Sequence, residues 1–262
     1  MSRLAHISDL HFGRHNKEVM AGLLDTLGEL DPDLVVISGD LTQRATHKEY
    51  RKAQRFLAGL IWPSLVIPGN HDITAYHLAE RLFYPWRKWR RYINPELEPD
   101  TRLPGLRVMG VNSARRFGWY LDWSRGRINQ DQTEMVARQA ATAAETDLRI
   151  MVAHHPFWLP TLSLRRQLIG GYEEALPALN AAGVDLILGG HIHLPFFKIQ
   201  EGVIISHAGT SISNRLVKGQ ANSFNIIEGD RQQLRISVME WDGNRFSERQ
   251  AKSFRRGRGG WD

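Results

Sequence analysis

The sequence predicts an α/β fold that carries its functional groups on loops at one sheet edge. Strand-like apolar runs alternate with amphipathic helical runs along much of the chain. Several of those apolar runs stop abruptly at a glycine, an aspartate or a histidine, as expected where a strand hands a side chain to a site.

Leu4 to Ser8 has strand character and stops at Asp9, with His11 two positions further along. This Asp-x-His pair can converge on one cation, and it reads equally as a turn-starting aspartate beside a surface histidine. Lys17 to Leu30 sets Val19, Leu23, Leu24, Leu27 and Leu30 close to helical spacing, and Asp31-Pro32 ends the run. Leu34 to Ser38 is continuously apolar, suits a strand covered on both faces, and leads straight into Gly39 and Asp40. Thr46 to Leu60 is predicted helical. Pro63 to Ile67 is the next strand, and it delivers the chain to Gly69, Asn70, His71 and Asp72.

Between Thr74 and Tyr92 the character changes. Arg81, Arg87, Lys88, Arg90 and Arg91 are interleaved with Phe83, Tyr84, Trp86, Trp89 and Tyr92. Two readings stand: a partly buried helix with a solvated basic face, or a surface offering aromatics and cations to anionic lipid or a large anionic ligand. Leu106 to Val111 and Arg149 to Ala153 are strands separated by a helix over Gln130 to Ala144, and the second runs into His154, His155 and Pro156. Tyr172 to Ala182 is predicted helical and Val184 to Leu188 a buried strand, followed by Gly189, Gly190, His191, Ile192 and His193. Two imidazoles at alternating positions can point to one centre while Ile192 points away.

Val203 to His207, Phe224 to Glu228 and Leu234 to Trp241 are closely spaced strand patterns that suggest a second, more antiparallel sheet. The stretch from Arg249, with Arg255, Arg256, Arg258 and several glycines, is expected to be a mobile tail. One domain over 1–248 is therefore expected, with a basic and aromatic insert at about 74–105 and a tail at 249–262.

Composition narrows the chemistry. At 262 residues and 42% hydrophobic, the chain can bury a substantial core. Lys and Arg number 34 against 28 Asp and Glu, and the net charge of +6 favours anionic partners: phosphate esters, nucleic acid or anionic lipid. Cysteine is absent, which excludes disulfides and thiolate metal sites and fits a cytoplasmic protein. No apolar stretch approaches the roughly 18 residues of a membrane span, and the first residues lack a leader pattern, so an unprocessed cytoplasmic chain is expected. Among 11 histidines, His11, His71, His191 and His193 sit in punctuated loops after predicted strands, and His154 follows one directly. His6 and His207 lie inside strand patterns as core groups, His15, His47 and His77 read as surface residues, and His155 stays open.

The ordered set Asp9-x-His11, Gly39-Asp40, Gly69-Asn70-His71-Asp72, His154 and Gly190-His191-x-His193 resembles the calcineurin-like metallophosphoesterase family. The resemblance implies a four-layer α/β sandwich of two mixed sheets flanked by helices, with the site on loops at one edge. It implies two divalent metal ions, one held by Asp9, His11 and His193, the other by Asn70, His154 and His191, with Asp40 bridging. His71 would be the catalytic group that is not a ligand, acting on the leaving oxygen, and Asp72 would orient it. The nucleophile would be a water acidified between the metals. Arg14 and Arg44 follow two of the ligand loops and are candidates for gripping phosphate. Carboxylate and amide oxygens mixed with imidazoles suit manganese, iron or zinc.

The segment Gly39-Asp40-Leu41-Thr42-Gln43-Arg44 lacks the second aspartate of the protein serine/threonine phosphatases, which argues against a phosphoprotein substrate. The His-His-Pro block looks more like the bacterial hydrolases of cyclic nucleotides and other small phosphodiesters. A small anionic phosphoester is therefore the expected substrate, hydrolysed as a phosphodiester. The aromatic and basic insert is similar to that of family members that cleave lipid-bearing nucleotide sugars such as UDP-2,3-diacylglucosamine, which is the alternative and would bring contact with anionic membrane. A DNA nuclease is a further alternative, weakened because no separate nucleic-acid-binding module is recognisable. The oligomeric state is left open.

Overall fold

The computed structural model describes residues 2–74, 77–116, 124–160, 168–257 and 260–262. In chain order these residues form β1 (Ser2–Ile7), α1 (Lys17–Leu30), β2 (Leu34–Ile37), α2 (His47–Ala58), β3 (Ser64–Val66), a 3-10 turn (Asn70–Asp72), α3 (Leu78–Phe83) and α4 (Arg87–Tyr92). Next come β4 (Asp100–Leu103), β5 (Leu106–Val111), α5 (Gln130–Ala141), β6 (Leu148–Ala153), α6 (Tyr172–Ala181), β7 (Leu186–Gly189) and β8 (Phe196–Gln200). The chain closes with β9 (Val203–His207), β10 (Ser223–Gly229), β11 (Gln233–Trp241), β12 (Phe246–Gly257) and β13 (Gly260–Trp261).

The helices begin where side chains can satisfy free backbone donors. Asn16 caps α1 by accepting from Glu18 N, and Thr46 with Glu49 forms a reciprocal capping box on α2. Asn129 and Gln132 repeat that device on α5. The α1 boundaries match the amphipathic pattern of the sequence.

Two mixed sheets stack face to face. The first has seven strands in the order β13-β12-β11-β10-β1-β2-β3, and the second six in the order β4-β5-β6-β7-β9-β8. Strands β1, β2 and β3 are parallel, as are β5, β6, β7 and β9. The alternation of side chains explains the continuous apolar runs. In β2, Leu34 and Val36 enter the core between the sheets, while Val35 and Ile37 face the helix layer of α1 and α2. In β6, Ile150 and Val152 face the first sheet while Met151 and Ala153 face α5 and α6. Three apolar layers thus separate four structural layers, the sandwich that the resemblance implied.

Two expectations need correction. First, β9 does not join β10 and β11 in a separate antiparallel sheet. A two-residue turn at Glu201 and Gly202, both at positive φ, folds β8 onto β9 and lays β9 parallel to β7, while β10, β11 and β12 extend the first sheet antiparallel to β1. Second, the stretch 249–262 is not a mobile tail: β12 pairs with β11 along most of its length, and Phe254 and Trp261 are buried in the core between the sheets. Arg256 is ion-paired to the buried Asp185, and Arg258 lies outside the described residues. Of the two readings of the aromatic and basic segment, Trp89 agrees with the partly buried helix: it is fully buried against the α2 layer, and Trp86 packs against the same cluster. Lys88 is tied to Glu80 at 2.8 Å, so the segment's cations and aromatics are partly occupied within the fold.

Candidate metal centre

The carboxyl ends of the parallel strands all open at one edge of the sandwich, where α/β folds place their sites. The loop after β1 carries Asp9 and His11, that after β2 Asp40, that after β3 Asn70 and His71, that after β6 His154 and His155, and that after β7 His191 and His193. Eight non-glycine residues have positive φ among those described, and five of them are Asp9, His11, Asp40, His191 and His193. A left-handed backbone is costly for such residues, and its concentration here marks a site that the surrounding structure holds in place.

The glycines beside these residues make room for them. A Cβ on Gly39 would lie 2.6 Å from His154 Nδ1, one on Gly69 would strike the Asp40 carboxylate, and one on Gly190 would strike Ser8 Oγ and Asp9. Each glycine lets one loop approach the functional group of another.

Within the edge, the side chains form two halves that share a carboxylate. On one side His193 Nε2 lies 3.1 Å from Asp9 Oδ1, and His11 Nε2 lies 3.6 Å from the same oxygen. On the other, His154 and His191 stack edge to face with centroids 5.2 Å apart, and His191 Nδ1 meets Asn70 Oδ1 at 3.1 Å. Asp40 Oδ2 stands between them, 3.8 Å from His11 Nε2 and 3.4 Å from His154 Nε2. Three groups of side chains bring possible ligand atoms within 4.8 Å of one another: Asp9, His11 and His193; Asp9, Asp40 and His154; and His154, His155 and His191. His155, which the sequence left open, lies beside His154 and His191 of the second half, with Nδ1 2.8 Å from Ser113 Oγ.

The backbone turns the ring nitrogens inward. His154 Nδ1 is held by Ser38 O at 2.7 Å, and His193 Nδ1 by Arg215 O at 2.6 Å, so each presents Nε2 to the centre. Asp9 Oδ2 accepts from Ser8 Oγ and from His191 N at 2.7 and 2.9 Å, and Asp40 Oδ1 accepts from His71 N at 2.8 Å. Asp9 Oδ1 and His154 Nε2 are buried without a hydrogen-bond partner. Buried polar atoms seldom stay unpaired, and Asp9, Asp40 and His154 bring possible ligand atoms within 4.8 Å of one another. The residues fit a pair of divalent cations.

The electrostatics agree. Burial alone would raise Asp9 and Asp40, but the charge of His193 beside the one, and of His154 and His71 beside the other, holds both well below the usual carboxylate range. Burial pulls His154 down, and Asp40 more than offsets it, raising the imidazole to about 9. The two carboxylates thus demand positive charge at this point. His155 is driven down to about 3 by burial and then by His154, which leaves it neutral with a lone pair to offer. Burial likewise drives His6 to about 3 and His207 to about 4, each in a strand and hydrogen-bonded, to Ser38 Oγ and Gly190 O respectively.

His71 stands at the mouth, half-buried, its Nδ1 2.8 Å from Gln43 O. Asp72 does not orient it as expected. Its carboxylate accepts from the main-chain N of Leu41, Thr42 and Gly69 at 3.1, 2.8 and 3.0 Å, which pins the Asp40 loop to the Asn70 loop. Burial and then the charge of Asp40 raise it to about 7 against those bonds. Arg14 and Arg44 are exposed, with Arg14 N bonded to His11 O and Arg44 N to Glu49. A residue not anticipated, Arg215, reaches His71 Nε2 at 2.9 Å.

Comparison with known proteins agrees with this geometry. The family model described as calcineurin-like phosphoesterase matches residues 2–195, which include all five loops. The chain belongs to the calcineurin-like phosphoesterase family. A glycerophosphodiester phosphodiesterase, GpdQ, of Enterobacter lignolyticus is 42% identical over 169 residues, 58% of this chain and 56% of the relative. A cAMP/cGMP dual specificity phosphodiesterase of Mycobacterium tuberculosis is 27% identical over 236 residues, 79% of this chain and 67% of that protein. The chain thus spans little more than half the length of GpdQ. Among solved structures, a dimetal phosphatase from Danio rerio has the same fold, with a TM-score of 0.67 at 11% identity over 96% of this chain and 98% of that one. The purple acid phosphatase of yellow lupin gives 0.70 at 12% identity, covering 96% of this chain and 53% of the other.

Proposed function

We propose that this member of the family is a metal-dependent hydrolase of a small phosphodiester, with two divalent cations as cofactors. The observation that carries the reading is Asp40 Oδ2, which faces a ligand nitrogen of each half at under 4 Å. A shared carboxylate of this kind is what two neighbouring cations require. Asp9, His11 and His193 would hold one, and Asn70, His154 and His191 the other, with His155 beside them. Bound there, the cations would supply an acidified water and charge neutralisation at the phosphoryl oxygens.

The chain's own groups account for the rest. Ser8, Ser38 and the Arg215 carbonyl fix ligand orientation before substrate arrives. His71 is anchored through Nδ1, which leaves Nε2 to stabilise or protonate the leaving oxygen. The names of the relatives favour a glycerophosphodiester or a cyclic nucleotide as substrate. Manganese, iron or zinc as the metal, and a cytoplasmic location, belong to the same proposal.

The test is metal content per chain together with turnover of glycerophosphoethanolamine, cyclic AMP, bis-p-nitrophenyl phosphate, UDP-diacylglucosamine and single-stranded DNA by the manganese-loaded protein. Turnover of the small diesters is expected. A chain that binds no divalent cation, or turns over none of them, would overturn the reading. A lipid-bearing substrate is the second reading, and it now rests on α3 and not on the tryptophans: Leu78, Leu82, Phe83 and Tyr84 are all exposed beside Arg87, Arg90 and Arg91. Salt-sensitive binding to anionic vesicles together with preferred turnover of UDP-diacylglucosamine would favour it.

A further inference from the structure

Strand β9 runs parallel to β7, so the loop that follows it leaves the sheet at the same edge as the five ligand loops. That loop, Ala208 to Arg215, is held with unusual thoroughness. Ser211 exchanges main-chain and hydroxyl bonds with Ser8 at 3.0 Å, and Thr210 Oγ1 donates to Asp9 O at 2.6 Å. Asn222 Nδ2 donates to Thr210 O and Ser213 O at 3.1 and 2.8 Å, and Ser213 Oγ accepts from Arg215 N at 3.1 Å. Every residue from Ala208 to Ser213 is buried. The effect of this bracing is to aim the side chain at position 215.

The Arg215 guanidinium brings Nη1 to 2.9 Å from His71 Nε2 and 3.3 Å from His11 Nε2. A guanidinium has donors only, and both contacts are made from Nη1. Arg215 therefore holds a permanent positive charge at the seam between the catalytic imidazole and a ligand of one cation. A charge in that position is matched by an anion. A phosphodiester supplies that anion, and its non-bridging oxygens match the fork of the guanidinium.

We propose that Arg215 is the phosphate-gripping residue of the site. It would donate to a non-bridging phosphoryl oxygen of the ester beside His71. The proposal rests on the function proposed above. It moves that role from Arg14 and Arg44 to Arg215, whose side chain touches His71 and His11.

The experiment uses the manganese-loaded full chain and three measurements: metal content, binding of inorganic phosphate by calorimetry, and KM and kcat for bis-p-nitrophenyl phosphate. Arg215→Ala is expected to keep its metals and to weaken phosphate binding by about 10- to 100-fold, the range for a lost charged hydrogen bond, with KM rising in step. Arg215→Lys, which keeps the charge and loses the fork, should fall between; it also serves if the alanine variant does not fold. Lys218→Ala, which removes an exposed cation of the same segment, gives the baseline. Unchanged phosphate affinity in both Arg215 variants, or loss of metal from them, would overturn the assignment, the latter by showing a structural role. A wild-type chain that binds metals yet neither binds phosphate nor cleaves the ester would instead overturn the functional reading itself.

Discussion

The metal centre and the segment from α3 to α4 use buried space in opposite ways. At the centre the fold buries charge: Asp9, Asp40, His11 and His154 are all inaccessible, several on a left-handed backbone. Along α3 and α4 it buries Trp89 and leaves Leu78, Leu82, Phe83 and Tyr84 in solvent. Packing alone explains the tryptophan, since an aromatic ring of that size contributes several kcal/mol when removed from water. Nothing in packing explains two buried carboxylates among imidazoles, because desolvating charge costs more than ordinary pairing returns. The contrast teaches that cost without a stabilising return is the better mark of function. An array of aromatics and arginines is not such a mark.

The largest expected effect tests that contrast at its centre. Asp40→Ala should lower bound metal from about two per chain to below about one and reduce hydrolysis to background, because both halves lose their shared ligand. Gly69→Ala should do nearly the same without touching a ligand, since its Cβ would strike the Asp40 carboxylate. If Gly69→Ala retained full metal content and turnover, the close approach of the loops would have no functional meaning.

His71→Ala separates chemistry from binding. His71 is half-buried and anchored to Gln43 O, so its loss should spare the metals and lower kcat by about 10² to 10⁴, the usual worth of a positioned acid or base. Metal analysis alongside kcat decides it: loss of metal would make His71 a ligand. Within the second half, Asn70→Ala and His155→Ala compare an amide with a neutral buried imidazole. The larger fall in metal affinity identifies the true ligand.

How much of this was legible follows from what each residue's neighbours in sequence encode. Leu34 to Ser38 announces a strand covered on both faces because its alternate side chains enter two different cores. The five ligand loops are legible because glycine, aspartate and histidine must sit within a few residues of each strand end. Arg215 was not, because its placement depends on β9 pairing in parallel with β7, and the run Val203 to His207 carries no mark of direction. Asp72 follows His71 directly, yet they lie in one 3-10 turn, where successive side chains diverge by about 120°. The closing strands were missed because Phe254 and Trp261 are separated by arginines and glycines, and only the pairing of β12 with β11 and of β13 with β12 brings both into the core.

Next in size is Trp89→Ala, expected to destabilise the chain by about 3 to 5 kcal/mol, the cost of emptying a buried aromatic site. Chemical unfolding should show it, with metal content preserved in the fraction that remains folded. A smaller effect concerns His6, a core histidine outside the ligand set. Burial, then the charge of His207, lowers it to about 3 from an ordinary 6.5, so the folded chain binds fewer protons than the unfolded one between those values. Its contribution is therefore fully present above about pH 6.5 and is lost as pH falls towards about 3. His6→Gln should flatten the acid limb of a stability profile by up to about 1.4 kcal/mol per pH unit. An unchanged slope would mean that His6 is protonated within the fold.

The smallest expected effect lies on α3 and bears directly on the contrast. Phe83 is 72% exposed and Leu82 42%, so neither buries enough surface for its removal to matter to the isolated chain. The double change Leu82→Ser and Phe83→Ser should shift unfolding free energy by no more than about 0.5 kcal/mol. The same change should weaken binding to anionic vesicles if α3 meets lipid, since the remaining arginines would supply only the salt-screened part of the attraction. Melting curves at two protein concentrations add the decisive control. A loss of more than about 2 kcal/mol that grows as wild-type concentration rises would show that a second copy covers this face, because association stabilises by mass action. In that case α3 would resemble the metal centre after all, as surface whose exposure is explained only by what binds it.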